Sequence, residues 1–344
     1  MPVRDYPWPS RALNLFAPHH DEVDRFCNFI ETQLVPDRID TIVLIVRYNY
    51  EFVSHPECRG VFPLSRGDVG KIVETCRKHK IRLVPNMNLL GHQTIQGETE
   101  PDGLLKSHPE FSETSIEEKP EYSYSLCPNA PGLYEIVTDL MDELIDVFQP
   151  EWFHMGGDEV FYIGMCDRCK DTDPGELFAA WYNRLAAHLK SKGITPMLWG
   201  DRLLDSEACH HGPWDASRNG THTAIKTLDR DIIITDWHYF NWPDGFPSVE
   251  VFAREGFKMY LCPFNDLTAT KAFMEYARAH DGGNILGVME TTWTPCKWFM
   301  DGVEGKPLED VQWFGSGTPH IVYVYSWLFR PEQFEKMPYL PNEE

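Results

Sequence analysis

Two adjacent carboxylates, Asp158 and Glu159, close the stretch Glu151-Trp152-Phe153-His154-Met155-Gly156-Gly157-Asp158-Glu159-Val160. The short apolar run before them reads as a buried strand, and the Gly-Gly pair frees the backbone where the acids emerge. Carboxylates this close resist joint ionisation, which raises the pKa of the less solvated one and suits it to general-acid work near neutral pH. Neighbouring side chains on an extended strand point to opposite sides, so the two are poorly placed to straddle one scissile bond. One is expected to donate a proton and the other to assist. The plainer reading is an acidic strand-to-helix turn with Asp158 as its N-cap. Further along, Cys166-Asp167-Arg168-Cys169 lies on the loop after the same strand, and Cys209-His210-His211 is a second ligand-rich cluster. Cys166, Cys169 and Cys209 with a histidine are the candidate ligands of a structural zinc clamping loops. The second half lacks the regular spacing of a zinc module, and reduced thiols are the alternative.

Chemistry of this kind needs a frame that gathers strand ends. Apolar runs alternate with helical patterns, as in parallel β/α units. Strands are expected at Ala12 to Phe16, Thr41 to Tyr48, Arg82 to Asn88, Trp152 to Met155, Thr195 to Trp199, Ile232 to Trp237, Lys258 to Cys262 and Ile285 to Met289. Helices are expected at Asp21 to Leu34, Asp68 to His79, Leu133 to Phe148, Glu176 to Lys190, Val249 to Glu255 and Ala269 to His280. Between the fifth and sixth strands, Cys209 to Thr221 is mostly loop chemistry. Eight such rounds make an α/β fold, a (β/α)8 TIM barrel of one domain over residues 1–344, with its active site at the carboxyl ends of the strands. Polar and aromatic residues gather there: His19 and His20 after the first strand, Arg47 to Tyr50 after the second, Asn86, Asn88 and His92 after the third. Trp199 and Asp201 end the fifth, Trp237, His238 and Tyr239 the sixth, Asn265 and Asp266 the seventh, and Glu290 and Trp293 the eighth. A doubly wound sheet is the rival, but no strand is followed by its Gly-rich phosphate-binding turn.

The string His154-Met155-Gly156-Gly157-Asp158-Glu159 resembles the His-x-Gly-Gly-Asp-Glu signature of family 20 glycoside hydrolases, the β-N-acetylhexosaminidases. Ser125-Leu126-Cys127-Pro128, a helix-like Tyr134 to Phe148 and then the strand follow the order in which that family approaches its signature. The resemblance runs from about Ala12 to Trp293. It looks most like the compact branch typified by hexosaminidase D, which lacks the extra α/β domain before the barrel. It implies a retaining exo-β-N-acetylhexosaminidase in which the substrate's own acetamide oxygen attacks the anomeric carbon. Carried over, Asp158 orients the acetamide and Glu159 is the general acid and later the base. His154 belongs to the same signature, among the substrate-binding residues. Trp199, Trp237 and Trp293 match the family's tryptophans around the acetamide, and His92 resembles the His of its Pro-Gly-His turn. The family's seventh-strand Tyr has no counterpart in Pro263-Phe264-Asn265-Asp266, and Tyr239 is the expected substitute. Its strand-one Arg and the acidic residue after its strand-eight Trp are missing too, replaced by Pro18-His19-His20 and Thr294-Pro295. Arg47, His19 or Asp201 would have to compensate in binding sugar hydroxyls. The family requires no metal, so no cofactor is expected beyond the possible zinc. A glycan-binding barrel without catalysis is the alternative that the missing residues would permit.

Composition narrows the partners. At 344 residues and 42% hydrophobic, the chain can bury a large core. A formal net charge of −22 argues against nucleic acid or an anionic membrane surface, since both would be repelled. An oligosaccharide ending in an N-acetylhexosamine suits it better, with a homodimer as a possible assembly. Met1 to Ser10 shows no apolar leader and no run is long enough to span a bilayer, so a cytoplasmic setting is expected. Nine scattered cysteines fit reduced thiols better than a disulfide framework.

Overall fold

The computed structural model describes residues 6–94, 100–117, 120–307 and 317–340. Eight strands run in chain order: β1 (Ser10–Phe16), β2 (Thr41–Ile45), β3 (Arg82–Asn86), β4 (Trp152–His154), β5 (Thr195–Trp199), β6 (Ile233–Trp237), β7 (Met259–Cys262) and β8 (Ile285–Thr291). Each is hydrogen-bonded to its chain neighbours, and the sheet closes as a barrel. At the closure β1 is parallel to β2, Ala12 opposite Thr41, and to β8, Ser10 opposite Gly287. A Cβ on Gly287 would lie 2.3 Å from the Ser10 carbonyl oxygen, so only glycine lets these strands approach. The fold is the α/β barrel expected from the alternating pattern.

The helices are α1 (Val23–Phe29), α2 (Arg66–Lys78), α3 (Gly103–Ser107), α4 (Leu133–Phe148), α5 (Pro174–Ser191), α6 (Ser206–Cys209), α7 (Ser248–Glu255), α8 (Leu267–His280), α9 (Cys296–Val303), α10 (Thr318–Phe329) and α11 (Pro331–Phe334). The elements form two compact groups interleaved along the chain. One takes the chain up to Ile45, Gly67–Val84 and the part from Thr235 onward; the other takes Val46–Arg66 and Pro85–Ile234.

In the second group, α4 buries Leu133, Val137, Leu140, Met141, Leu144 and Phe148, a stripe at helical spacing. Burying each large aliphatic side chain contributes roughly 1.5–3 kcal/mol, so Leu140→Ala would loosen the whole face. Asp173 starts α5 by accepting the Gly175 and Glu176 N–H groups at 2.9 and 3.1 Å, with Pro174 placed where no N–H is needed. From that helix the Trp181 indole donates to the Leu89 carbonyl at 3.0 Å, which anchors the loop after β3.

In the first group, α10 is buried along almost its whole length, from Thr318 to Phe329. It packs Tyr325 against Phe299 of α9 at 5.4 Å. Its sequence, apolar on every side, carries no amphipathic period, and so gives no sign of a helix there. Beyond shifts of one or two residues at other ends, two expected elements differ, and the segment between β5 and β6 is mostly loop, as expected. β2 stops at Ile45 rather than Tyr48, because Arg47 adopts a left-handed φ of 50° and turns the chain. The expected helix Asp21 to Leu34 is a 3₁₀ turn at His20–Glu22, then α1, then a π turn at Ile30–Leu34. Between β5 and β6 the chain makes only α6 and two 3₁₀ stretches, at Asp201–Leu203 and Thr221–Lys226.

Candidate active site

Extended backbone ends at His154, and the chain then enters a left-handed turn. Gly156 and Gly157 have φ of 73° and 99°, and Glu159 itself sits at 50°. A Cβ on Gly156 would come within 2.8 Å of the Asn88 backbone, and one on Gly157 within 2.4 Å of Leu198. Both positions need glycine for space as well as for φ. The turn overrides the alternation expected of a strand. Instead of pointing apart, both carboxylates reach one histidine: His92 Nε2 lies 3.0 Å from Asp158 Oδ2 and 3.4 Å from Glu159 Oε2. The ring nitrogen is within ion-pair distance of both.

Around that nitrogen the two acids titrate in opposite directions. Burial pushes Asp158 up, but the charge and proximity of His92 outweigh it and hold this carboxyl below its usual range. Burial pushes Glu159 up as well, and with the repulsion of Asp158 and Asp201 it prevails over His92, taking Glu159 to about 7. Burial works against a charge on His92, yet the two carboxylates raise its pKa. The result is an ionised Asp158 beside a Glu159 that keeps its proton near neutrality.

The strained backbone of Glu159 is held from the end of β5. Its N–H donates to Asp201 Oδ2 at 2.9 Å, and the same oxygen accepts Arg202 Nε at 2.7 Å. Asp201 and Arg202 are both fully buried, and Arg202 Nη2 donates to the carbonyls of Pro213, Trp214 and Ala216. Asp201 therefore supports the acid from beneath. Arg47 plays a comparable part for His92. Its guanidinium donates to the His92 and Thr94 carbonyls, each at 2.8 Å, and pairs with Asp102 at 3.1 Å. It fixes the loop that presents His92, itself at a φ of 54°.

His154 is wholly buried. Its Nδ1 accepts from Asn86 Nδ2 at 2.7 Å and from the Gly156 N–H at 3.1 Å, so the ring proton belongs on Nε2. Burial drops its pKa to about 3, leaving a neutral brace for the glycine turn. Trp199 is also buried, its ring 4.7 Å from that of His154.

Of four further participants the sequence marks only Asn88, among the polar residues after the third strand. Asn88 Nδ2 approaches Asp158 Oδ1 at 3.5 Å. The Tyr122 phenol interacts with Glu159, and burial with the two acidic charges keeps it protonated. Tyr122 also stands edge-on to His92 at 5.7 Å and to the half-exposed Trp214 at 5.0 Å, while Phe161 joins Trp214 at 5.2 Å. These aromatics come from loops without motif or periodicity.

The first group of elements carries its own aromatic cluster. Tyr239, past the end of β6, lies 4.7 Å from Trp237 and 5.0 Å from Phe264, and its hydroxyl accepts the Trp293 indole N–H at 2.6 Å. Trp293 has a φ of 26° and meets Phe16 edge-on at 6.1 Å. His19 is exposed on the loop after β1. As for the metal candidates, the thiol that joins Cys166 and Cys169 is Cys127; Cys209 at the end of α6 is not in that group.

Barrel and acid pair thus stand together at the carboxyl end of β4. A family model for the catalytic domain of glycosyl hydrolase family 20 matches residues 46–297, and the chain belongs to that family. Among curated relatives, a beta-hexosaminidase of Emericella nidulans is 24% identical over 211 residues, covering 53% of this chain and 34% of its own length. Hexosaminidase D of Bos taurus is 21% identical over 150 residues, 41% of this chain and 40% of its own. The chain thus spans well under half the length of either relative. In structure it is similar to the chitobiase of Flavobacterium johnsoniae, with a TM-score of 0.61 at 19% identity over 96% of this chain and 52% of that one. Among the described residues, no helix is long and apolar enough to cross a membrane.

Proposed function

We propose that this chain is a retaining exo-β-N-acetylhexosaminidase that removes terminal N-acetylglucosamine or N-acetylgalactosamine from glycans by substrate-assisted catalysis. The observation that carries the reading is the convergence of Asp158 and Glu159 on His92 Nε2, at 3.0 and 3.4 Å, in surroundings that favour the charged form of Asp158 and the protonated form of Glu159. An ionised Asp158 accepts the acetamide N–H and turns the acetamide oxygen toward the anomeric carbon. As that oxygen bonds to the carbon, the glycosidic bond breaks and Glu159 passes its proton to the leaving oxygen. The oxazolinium charge is balanced by Asp158. Glu159, now a carboxylate, takes a proton from water as the water oxygen attacks the same carbon and reopens the acetamide, giving the retained anomer. In this reading Trp199 walls the acetamide, as the resemblance to the family implies. Family membership and the relatives' names support the substrate class.

The test compares an aryl N-acetylglucosaminide with the matching glucoside lacking the acetamide. Turnover of the first alone, slowed stepwise by fluorines on the acetyl group and blocked by a thiazoline mimic, is expected. Equal turnover of both, or a sugar ester trapped on a carboxylate of this chain, overturns it.

A further inference from the structure

Seven and ten residues beyond Glu159, Cys166 and Cys169 meet Cys127 from the segment before α4. Cys127 Sγ lies 3.3 Å from each of the other two sulfurs. Glu113 completes the group: one ligand atom from each of the four residues lies within 4.8 Å of every other. From this geometry we infer that Cys127, Cys166, Cys169 and Glu113 form a structural site for a divalent zinc ion.

Three facts argue for a metal rather than a chance meeting of thiols. First, the sulfur spacing suits it. Zinc–sulfur bonds of about 2.3 Å put tetrahedral thiolates roughly 3.8 Å apart, and a disulfide would need about 2.05 Å. Three protonated thiols touching one another have hydrogens to place and only weak acceptors to receive them. Second, Glu113 is almost fully buried, and while Oε1 accepts the Met165 and Cys166 N–H groups at 2.6 and 3.3 Å, Oε2 has no hydrogen-bond partner. A buried carboxylate oxygen left unpaired is costly, and coordination satisfies it. Third, the surroundings are those of a built site. The Cys169 and Lys170 N–H groups both donate to the Cys166 carbonyl at 2.9 Å, a tight turn of the C-x-x-C kind that aims both sulfurs one way. Arg168 interacts with the Cys127 and Cys166 thiols and donates to the Glu110 and Ser112 carbonyls, setting a cation against the excess negative charge of a thiolate-rich centre.

All four ligands come from the chain itself, so the site is closed and offers no position to a substrate. Its effect is mechanical. Glu113 and Cys127 flank a short antiparallel bridge between Ser112 and Leu126, tied by Glu113 N–H to the Ser125 carbonyl at 2.9 Å and Cys127 N–H to the Phe111 carbonyl at 2.7 Å. Tyr122, which touches Glu159, lies on that same segment. The ion staples it to the loop that carries the acid.

The experiment measures metal by mass spectrometry in untagged protein purified under reducing conditions from zinc-supplemented medium. About one zinc per chain is expected, retained in Cys209→Ser and lost in Cys127→Ser and Cys166→Ser. In case those variants fold poorly, wild-type protein is stripped and refilled with cobalt alone. Intense sulfur-to-cobalt charge-transfer bands with tetrahedral visible bands support the site, and a weak octahedral spectrum overturns it. Wild-type protein that stays metal-free after incubation with zinc, or peptide mapping that finds a Cys166–Cys169 disulfide, overturns it as well.

Discussion

Asp201 Oδ2 accepts the backbone N–H of Glu159, so a carboxylate that repels the Glu159 side chain through space also holds its main chain. The same side chain holds Glu159 in a left-handed conformation and, after burial and Asp158, adds to the rise in its pKa. Asp201→Ala removes both effects and leaves Arg202 buried without its ion partner. A loss of about 3–5 kcal/mol is expected in urea unfolding, typical of a buried pair broken from one side. A loss under about 1 kcal/mol would place the support of Glu159 elsewhere.

The pH dependence comes from the two acids. Glu159 must hold its proton to act, so kcat/KM should fall as pH rises through about 7. Asp158 must be ionised, so the acid limb should lie below the ordinary carboxylate range. His92 lowers both pKa values, and His92→Asn should therefore move both limbs to higher pH. A variant profile shifted on one limb alone would mean that His92 serves only one of the acids.

Linkage gives a second reading of the same group. Because the folded-state pKa of Glu159 lies above its unfolded value, the stability it contributes is full below about 4.5 and lost as pH rises through about 7. Glu159→Gln carries no such penalty. Its melting temperature should exceed that of the wild type more at pH 8 than at pH 4, and a constant difference would contradict the raised pKa.

Leaving groups separate the roles of the neighbours. Glu159→Gln should lose roughly 10²–10⁴-fold on natural glycans but much less on aryl glycosides with acidic phenols, which need little protonation. Asp158→Asn should lose a similar factor on both, because charge on the oxazolinium does not depend on the aglycone. Initial rates on the two substrate classes decide it.

Arg47 offers a prediction remote from the chemistry. Arg47→Ala frees the His92 and Thr94 carbonyls, so kcat should fall roughly 10–100-fold with KM changed less, through misplacement of His92. Arg47→Lys should recover only part, since all three contacts meet at one nitrogen, Nη2, and the lysine side chain is a bond too short to bring its ammonium there unstrained. Full rescue by lysine would argue for charge alone.

Much of this architecture is legible in the residues because it repeats. β5 runs from Thr195 to Trp199 and α4 from Leu133 to Phe148, as their patterns imply. The acid pair can be read from its glycines. The illegible parts depend on contacts between distant segments. Asp201 and Arg47 stand at strand ends as candidates for sugar hydroxyls, and only the fold shows each bonding to backbone. Tyr122 and Glu113 sit in loops with no period, and Cys127 meets Cys166 across 39 positions of chain. The helix α10 hides for the opposite reason: its apolar residues surround the axis and mark no face.

The seam between β1 and β8 bears on how the chain is made. Ser10 must wait for Gly287, its partner, to be translated before the barrel can close. At roughly 5–20 residues per second, that leaves one edge of β1 unpaired on the ribosome for tens of seconds. An open parallel edge invites other strands during that interval. Nascent chains of this protein should therefore depend on holding chaperones until the ribosome has passed β8, and ribosome-bound truncations ending before Ile285 should be captured by them far more than those ending beyond α10.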